Sequence, residues 1–181
     1  PLGKFELKGE NVGEFLDLIY TNVMSSLLPG NGRYGLMLTD DGLIFDDGVA
    51  FRIDQHRWFI STSSGHSDNV NQHMQKILAF DRPDLDVKIT NITNQWNNAT
   101  VCGPLARKLV QKLGTDIDLG NSSFPFMTFR EGKIANIPAR VIRVSFTGEL
   151  SFEINVSSRN MLTLWEKIIE VGEEFGILPV G

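Results

Sequence analysis

Two acidic stretches hold the residues whose types and spacing can do chemistry. The first, Asp40-Asp41-Gly42-Leu43-Ile44-Phe45-Asp46-Asp47-Gly48, places four carboxylates within eight positions. A calcium loop is disfavoured, because Leu43-Ile44-Phe45 fills positions where oxygen ligands are wanted. The stretch reads either as two exposed hairpin ends or as a strand with an inward carboxylate. The second reading rests on Asp46-Asp47, which lie between Phe45 and Val49 in a run that should be half buried. Adjacent strand residues point to opposite faces, so one of the two faces inward. An inward carboxylate is costly unless it is paired or functional.

The second stretch is Ser145-Phe146-Thr147-Gly148-Glu149-Leu150-Ser151-Phe152-Glu153. Thr147-Gly148 reads as a turn, after which Glu153 enters a strand beside Phe152 and Ile154. A carboxylate there either faces solvent from an edge strand or accepts two parallel hydrogen bonds from a heterocycle. The heterocycle would present an amino group beside a ring N–H, as guanine and pterin do.

Other chemistry finds little support. Cys102 sits in an apolar run with no second cysteine in the chain, and reads as a buried structural thiol. His56, His66 and His73 show no ligand spacing, so no metal site is expected. Ser63-Ser64-Gly65 lacks the Gly-x-Ser-x-Gly elbow of a serine hydrolase. Trp58, Trp96 and Trp165 read as core residues, although an aromatic face can also clamp a planar ligand. No Gly-rich nucleotide motif occurs.

The elements that position these residues follow from periodicity. Lys4–Lys8 alternates as a strand, and Phe15, Leu16, Ile19 and Val23 form a helical stripe after an Asn11 cap. Strands are predicted at Arg33–Leu38, Leu43–Ile53 and Trp58–Thr62, a helix at Ser67–Phe80, and a strand at Val87–Ile92. The order then recurs. A strand at Ala99–Cys102 precedes a helix through Leu105, Leu109 and Leu113. Strands follow at Thr128–Ile134, Ala139–Phe146 and Phe152–Val156, with turns at Glu131-Gly132 and Thr147-Gly148. A last helix runs from Arg159 to Phe175, capped by Ser157-Ser158.

Gly9 and Gly103 end the first strand of each half. The fold class is therefore α+β: two related subdomains, 1–93 and 94–181, of mainly antiparallel sheet with packed helices.

Composition bounds the function. The chain has 181 residues, 41% of them hydrophobic, and a net charge of −5. Residues 1–90 hold 8 basic and 13 acidic side chains, and the remainder 9 of each. An acidic chain without a Lys/Arg cluster is a poor nucleic-acid binder. No apolar run reaches the roughly 18 residues of a membrane span. No signal peptide is expected from the opening residues, and a single cysteine fits a reducing, cytoplasmic setting.

These residues resemble a known family. Tyr34-Gly-Leu-Met-Leu38, Gly42-Leu-Ile-Phe-Asp-Asp-Gly48 and Phe146-Thr-Gly-Glu-Leu-Ser-Phe-Glu153 are similar to the folate-binding fold of the glycine-cleavage T-protein, an aminomethyltransferase. Ser61-Thr-Ser-Ser-Gly65, Phe124-Pro-Phe-Met127 and Ile137-Pro-Ala-Arg140 extend the likeness. They resemble the C-terminal domain of the α subunit of heterotetrameric sarcosine oxidase.

The resemblance implies an enzyme domain that binds tetrahydrofolate. It would capture an imine or formaldehyde-level one-carbon unit from sarcosine demethylation as 5,10-methylenetetrahydrofolate. FAD, FMN and NAD would belong to other domains or subunits, so the chain by itself is not expected to oxidise sarcosine. By position, Asp47 matches the catalytic carboxylate, which makes it the inward candidate. Glu153 matches the pterin-edge carboxylate, and Tyr34 an aromatic residue of the folate pocket.

Phe146 stands where the T-protein usually has Tyr, and Thr62 where it commonly has Asn. The family continues past Gly181, so the fold is expected to be incomplete and an Arg contact to the folate tail to lie beyond it. The alternatives are an aminomethyltransferase or dimethylglycine-type demethylase on the same fold, and a non-catalytic folate-binding module.

Overall fold

The structure, a computed structural model, describes residues 2–180. The chain divides into two compact units, Pro1–Thr93 and Asn94–Gly181. In the first unit, strand β1 (Gly3–Lys8) leads to helix α1 (Val12–Ile19). Strands β2 (Gly32–Leu38), β3 (Ile44–Arg52) and β4 (Arg57–Thr62) follow, then helix α2 (Ser67–Lys76) and strand β5 (Lys88–Asn91). Helix α2 ends in a wide π turn over Ile77–Asp81. The strands form one antiparallel sheet in the order β2-β3-β4-β1-β5.

The second unit runs from β6 (Trp96–Cys102) through helix α3 (Ala106–Lys112). It continues with β7 (Thr128–Ile134), β8 (Ile137–Arg143), β9 (Ser151–Ser157) and helix α4 (Met161–Gly172). Its antiparallel sheet has the order β6-β9-β8-β7. Read from the other edge, β7-β8-β9-β6 repeats the arrangement β2-β3-β4-β1. In both units the first strand pairs with the last of the three strands that follow its helix. Gly9 (φ 142°) and Gly103 (φ 121°) leave β1 and β6 in a conformation that L side chains avoid. These are the antiparallel sheets with packed helices that the pattern predicts.

Each unit has its own core. Val12, Phe15, Leu16 and Ile19 of α1 pack with Phe5, Leu7, Met37, Ala50, Trp58 and Ile60 from the sheet, and with Val70 and Met74 of α2. In the second unit, Leu109 and Val110 of α3 and Leu164 and Ile168 of α4 cover Val101, Val141, Phe152 and Ile154. Each such side chain contributes roughly 1.5–3 kcal/mol on burial. No helix is long and apolar enough to cross a membrane among the described residues.

Several expectations change. Helix α1 stops at Ile19, so Val23 is 58% exposed instead of extending the stripe. The hairpin turn after β7 lies at Ala135-Asn136, both left-handed (φ 50° and 64°), as a tight two-residue turn requires. Glu131-Gly132 is inside β7, paired with Arg140 and Ala139. Ser157-Ser158 makes no side-chain cap, because the Ser158 hydroxyl donates to the Asn94 carbonyl at 2.7 Å.

Candidate active site

β3 carries the acidic pair in the middle of the first sheet, where strand alternation separates the two carboxylates. Asp46 pairs with the fully buried Met37 and shares its face with Ala50, so it points toward the helices and is 4% exposed. Asp47 pairs with Leu36 on the opposite face and is half-buried. The inward carboxylate is therefore Asp46, not Asp47. Alternation fixes that the two diverge, but only the register of β2 on β3 tells which one meets the helix layer.

Two hydroxyl groups hold Asp47. Tyr34 Oη donates to its Oδ2 at 2.8 Å, and Ser63 Oγ donates to its Oδ1 at 3.4 Å. The Ser63 amide also donates to Asp46 Oδ2 at 3.3 Å, so one residue at the end of β4 touches both carboxylates. That proximity depends on Gly48. A Cβ there would lie 1.8 Å from the Ser61 carbonyl oxygen, so only glycine lets β3 approach β4 this closely.

A β-bulge beside the pair adds local shape. Met37 pairs with Asp46 and Leu38 with Ile44, so Phe45 is the extra residue. Its carbonyl is hydrogen-bonded to His66 Nδ1 at 2.9 Å, and its ring tilts against His73 at 5.2 Å.

Tyr20 lies on the helix side of the pair, 5% exposed, with its hydroxyl buried and unpartnered. Burial first, then the charges of Asp46 and Asp47, push its pKa well above the ordinary phenol value. Tyr34, which is largely exposed, is also raised. The first cause is the bond its neutral hydroxyl donates to Asp47. Thr62 is 2% exposed, its hydroxyl 3.5 Å from the Ser63 carbonyl and close against Gly3. It supports Ser63 from within the sheet.

In the second unit, Glu153 lies on β9, flanked by Thr100 of β6 and Ile142 of β8. This is an interior strand, which removes the edge-strand reading. Asn98 Nδ2 donates to Glu153 Oε2 at 3.0 Å and turns the carboxylate. Two positions further along the same face, the Asn155 amide is 1% exposed with neither polar atom paired. Phe146 is fully exposed on the loop between β8 and β9.

The structure thus joins Tyr34 to Asp47, with Thr62 behind them. Glu153 and Phe146 belong to the other unit. Cys102, expected to be buried, is exposed, with Sγ 3.0 Å from the Thr147 hydroxyl oxygen. Trp58 is a core residue, but Trp165 is 41% exposed on the outer side of α4.

The sequence pattern of the GCVT N-terminal domain matches residues 1–181, end to end. The chain belongs to the GCVT N-terminal domain family. It is 40% identical over 181 residues to the sarcosine oxidase subunit alpha of Corynebacterium sp. (strain U-96). The match covers 99% of this chain but 19% of that subunit, so the chain spans about a fifth of that relative's length.

Among solved structures, the glycine cleavage system aminomethyltransferase T from Bartonella henselae has a TM-score of 0.79 at 20% identity. The alignment covers 93% of this chain and 43% of that one. The heterotetrameric sarcosine oxidase from Corynebacterium sp. U-96, in complex with pyrrole 2-carboxylate, has a TM-score of 0.69 at 15% identity, covering 99% and 84%. At these identities the two structures show a shared fold.

Within this GCVT domain, sequence reasoning missed Ser63, Tyr20, Asn98 and Asn155. Ser63 reads as loop composition, and its role follows from where β4 ends beside β3. Asn98 precedes the apolar end of β6, where its pairing with Asn155 across to β9 is invisible until the register is known.

Proposed function

We propose that the chain is a tetrahydrofolate-binding unit of the kind carried by sarcosine oxidase α subunits, capturing a one-carbon unit as 5,10-methylenetetrahydrofolate. The observation that carries this reading is the placement of Asp47. It is a half-buried carboxylate on the side of the sheet away from the helices, held by hydroxyl donors at 2.8 and 3.4 Å. The two donors fix the carboxylate in place, where it is suited to offset positive charge.

When a folate amine attacks the carbon of an iminium electrophile, a C–N bond forms and the attacking nitrogen becomes cationic. Asp47 stabilises that charge, takes the proton as it leaves and passes it to the departing amine. The second folate nitrogen then closes the methylene bridge. The C–N bond to the departing amine breaks, and the amine leaves carrying the protons the two folate nitrogens give up.

Glu153 serves recognition. Its carboxylate, oriented by Asn98, suits the paired N–H groups of a pterin edge. Tyr34 and Phe146 supply exposed aromatic faces, 49% and fully exposed respectively, for the ligand's rings. Flavin and NAD chemistry, which would generate the iminium electrophile, is assigned to other domains or subunits and to no residue of this chain. The aminomethyltransferase and demethylase readings share the fold, and the 40% identity to a sarcosine oxidase α subunit favours the oxidase type.

The test is tetrahydrofolate binding followed by tryptophan fluorescence. Saturable binding is expected, with Glu153→Gln weakening it at least tenfold, because an amide offers one acceptor where the carboxylate offers two. Unchanged affinity in Glu153→Gln would remove the recognition role, and absence of binding to the wild-type chain would remove the folate reading.

A further inference from the structure

The second unit contains a cavity beside a group of arginines that the folate reading does not use. Three arginines surround the segment between Leu119 and Phe124. Arg107 donates to the Leu119 carbonyl at 2.8 Å and to Asn121 Oδ1 at 2.5 Å. Arg130 donates to the Phe129 and Ser123 carbonyls at 2.7 and 2.6 Å. Arg143 donates through Nη1 to the Phe124 carbonyl at 2.5 Å. Every acceptor is a neutral oxygen. Among the described residues, no carboxylate lies within ion-pair distance of any of the three.

This pattern is unusual beside the rest of the protein. Arg57, Arg82 and Arg140 each pair with an acidic side chain. Arg143 is in addition held below its ordinary pKa, first by burial and then by the nearby charge of Arg107. Two like charges brought together and partly removed from water, with no counter-ion, are costly unless something anionic joins them.

A cavity of about 350 Å³ opens beside Arg143, lined by Phe126, Ser145, Gly148, Glu149 and Ser151 among others. Ser145 Oγ is buried there with no hydrogen-bond partner, and an unmade bond of this kind costs roughly 1–3 kcal/mol. Phe126, 59% exposed, stands at the rim as an aromatic surface. Glu149 is the one acidic lining residue. It is exposed to water, which screens its charge.

We propose that this cavity is a carboxylate-binding site, in which Arg143 is the charged anchor, Ser145 the second donor and Arg107 a supporting charge. A carboxylate there would take the N–H groups of Arg143 that the Phe124 carbonyl leaves free and would satisfy the Ser145 hydroxyl. Two sources share this chemistry: a free small dicarboxylate, and the glutamate end of a folate, whose benzoyl ring Phe126 would meet. The second source rests on the folate reading.

The site is tested by calorimetric titration of the chain with glutarate and, separately, with p-aminobenzoyl-L-glutamate, which carries the folate tail without the pterin. Saturable binding of at least one probe is expected, weakened at least tenfold in Arg143→Gln and several-fold in Ser145→Ala, and tightened in Glu149→Gln. Binding of both probes with equal strength identifies a general carboxylate site, and binding of the second alone identifies the tail.

Because Arg143 also ties down Phe124, a wild-type readout is added. Phenylglyoxal modification of Arg143 and Arg107, followed by mass spectrometry, should slow in the presence of the bound probe, while Arg159 is unaffected. No saturable binding of either probe up to 10 mM, or wild-type affinity in Arg143→Gln, would overturn the proposal. Failure of tetrahydrofolate itself to bind, with glutarate still bound, would count against the folate reading and leave the carboxylate site standing.

Discussion

Tyr34 and Asp47 are joined at 2.8 Å although they are not opposite one another in the sheet. Tyr34 pairs with Val49 and Asp47 with Leu36, so the bond runs diagonally across one face of β2 and β3. A diagonal pair is beyond the reach of a short side chain but within that of a phenol. The carboxylate is thereby fixed by a residue that is itself on the outer strand of the sheet, where a ligand can approach it.

Replacing Asp47 with Asn therefore keeps the shape but removes the charge. One-carbon transfer should fall by about 10²–10³-fold, in the range of losing one preorganised electrostatic group. Tetrahydrofolate affinity should change by no more than a few-fold. The comparison is between the transfer rate, corrected for the spontaneous reaction, and the dissociation constant measured on the same preparations. Wild-type transfer by Asp47→Asn would remove the catalytic assignment.

The two tyrosines give a spectroscopic prediction. Tyr20 and Tyr34 are the only tyrosines in the chain, and both phenols are raised above the usual value near 10. Absorbance at 295 nm should show little tyrosinate at pH 10 in the native protein, and two titrating phenols on unfolding. The linkage follows in sign. A raised native pKa means the fold favours the neutral phenol, so that stabilisation is complete below about pH 10 and is lost as pH rises past it toward the native values. In Tyr20→Phe a single raised titration, that of Tyr34, should remain. A full tyrosine transition near pH 10 in the folded chain would contradict the placement of both residues.

Particular residues show how far the sequence could be read. Alternation in Lys4–Lys8 identified β1 almost to the residue, because Phe5 and Leu7 are buried in the core and the apolar period records it. The span Thr128–Ile134 coincides with β7 without such a period, since Phe129 and Ile134 fall on opposite faces. Glu131-Gly132 had the composition of a turn but is not one. Gly132 is small because a Cβ there would meet Asp116 Oδ1 at 2.5 Å and Ile117 at 2.6 Å, a close approach between segments distant in sequence. The assignment of the inward carboxylate failed for a related reason. Both Asp46 and Asp47 satisfy the alternation, and the choice belongs to strand register, which no local pattern encodes. Tyr34, Asp47 and Glu153 could be singled out from residue type and spacing, whereas Ser63 and Asn98, which hydrogen-bond two of them, could not.

Cys102 offers a chemical check on the revised burial. Val101 and Ala99 face the core of the second unit, and Cys102 follows them at the end of β6, turned outward beside Thr147. The reading of a buried thiol treated the whole run as one apolar block and overlooked its alternation. Native protein should therefore react with one equivalent of a disulfide reagent such as dithionitrobenzoate without denaturant. A thiol that reacts only after unfolding would return Cys102 to the interior.

Gly48 ties the stability of the first sheet to its chemistry. It pairs with Gly35 on one side and Thr62 on the other, between Asp47 and the approach to Ser63. A methyl group at this position would sit 1.8 Å from the Ser61 carbonyl oxygen, a backbone atom that cannot rotate away. β3 and β4 would have to separate, straining the ladder that holds both carboxylates. Gly48→Ala should therefore destabilise the protein by about 2–4 kcal/mol, beyond the usual range for overpacking by one carbon. Gly65→Ala is the control, because a Cβ there meets nothing within 4 Å, and its effect should stay within about 0.5 kcal/mol. Urea unfolding of the three proteins separates the outcomes. Equal stability of the two variants would mean that β3 and β4 can part without cost, and the Ser63 bridge between Asp46 and Asp47 would then no longer be a fixed feature of the fold.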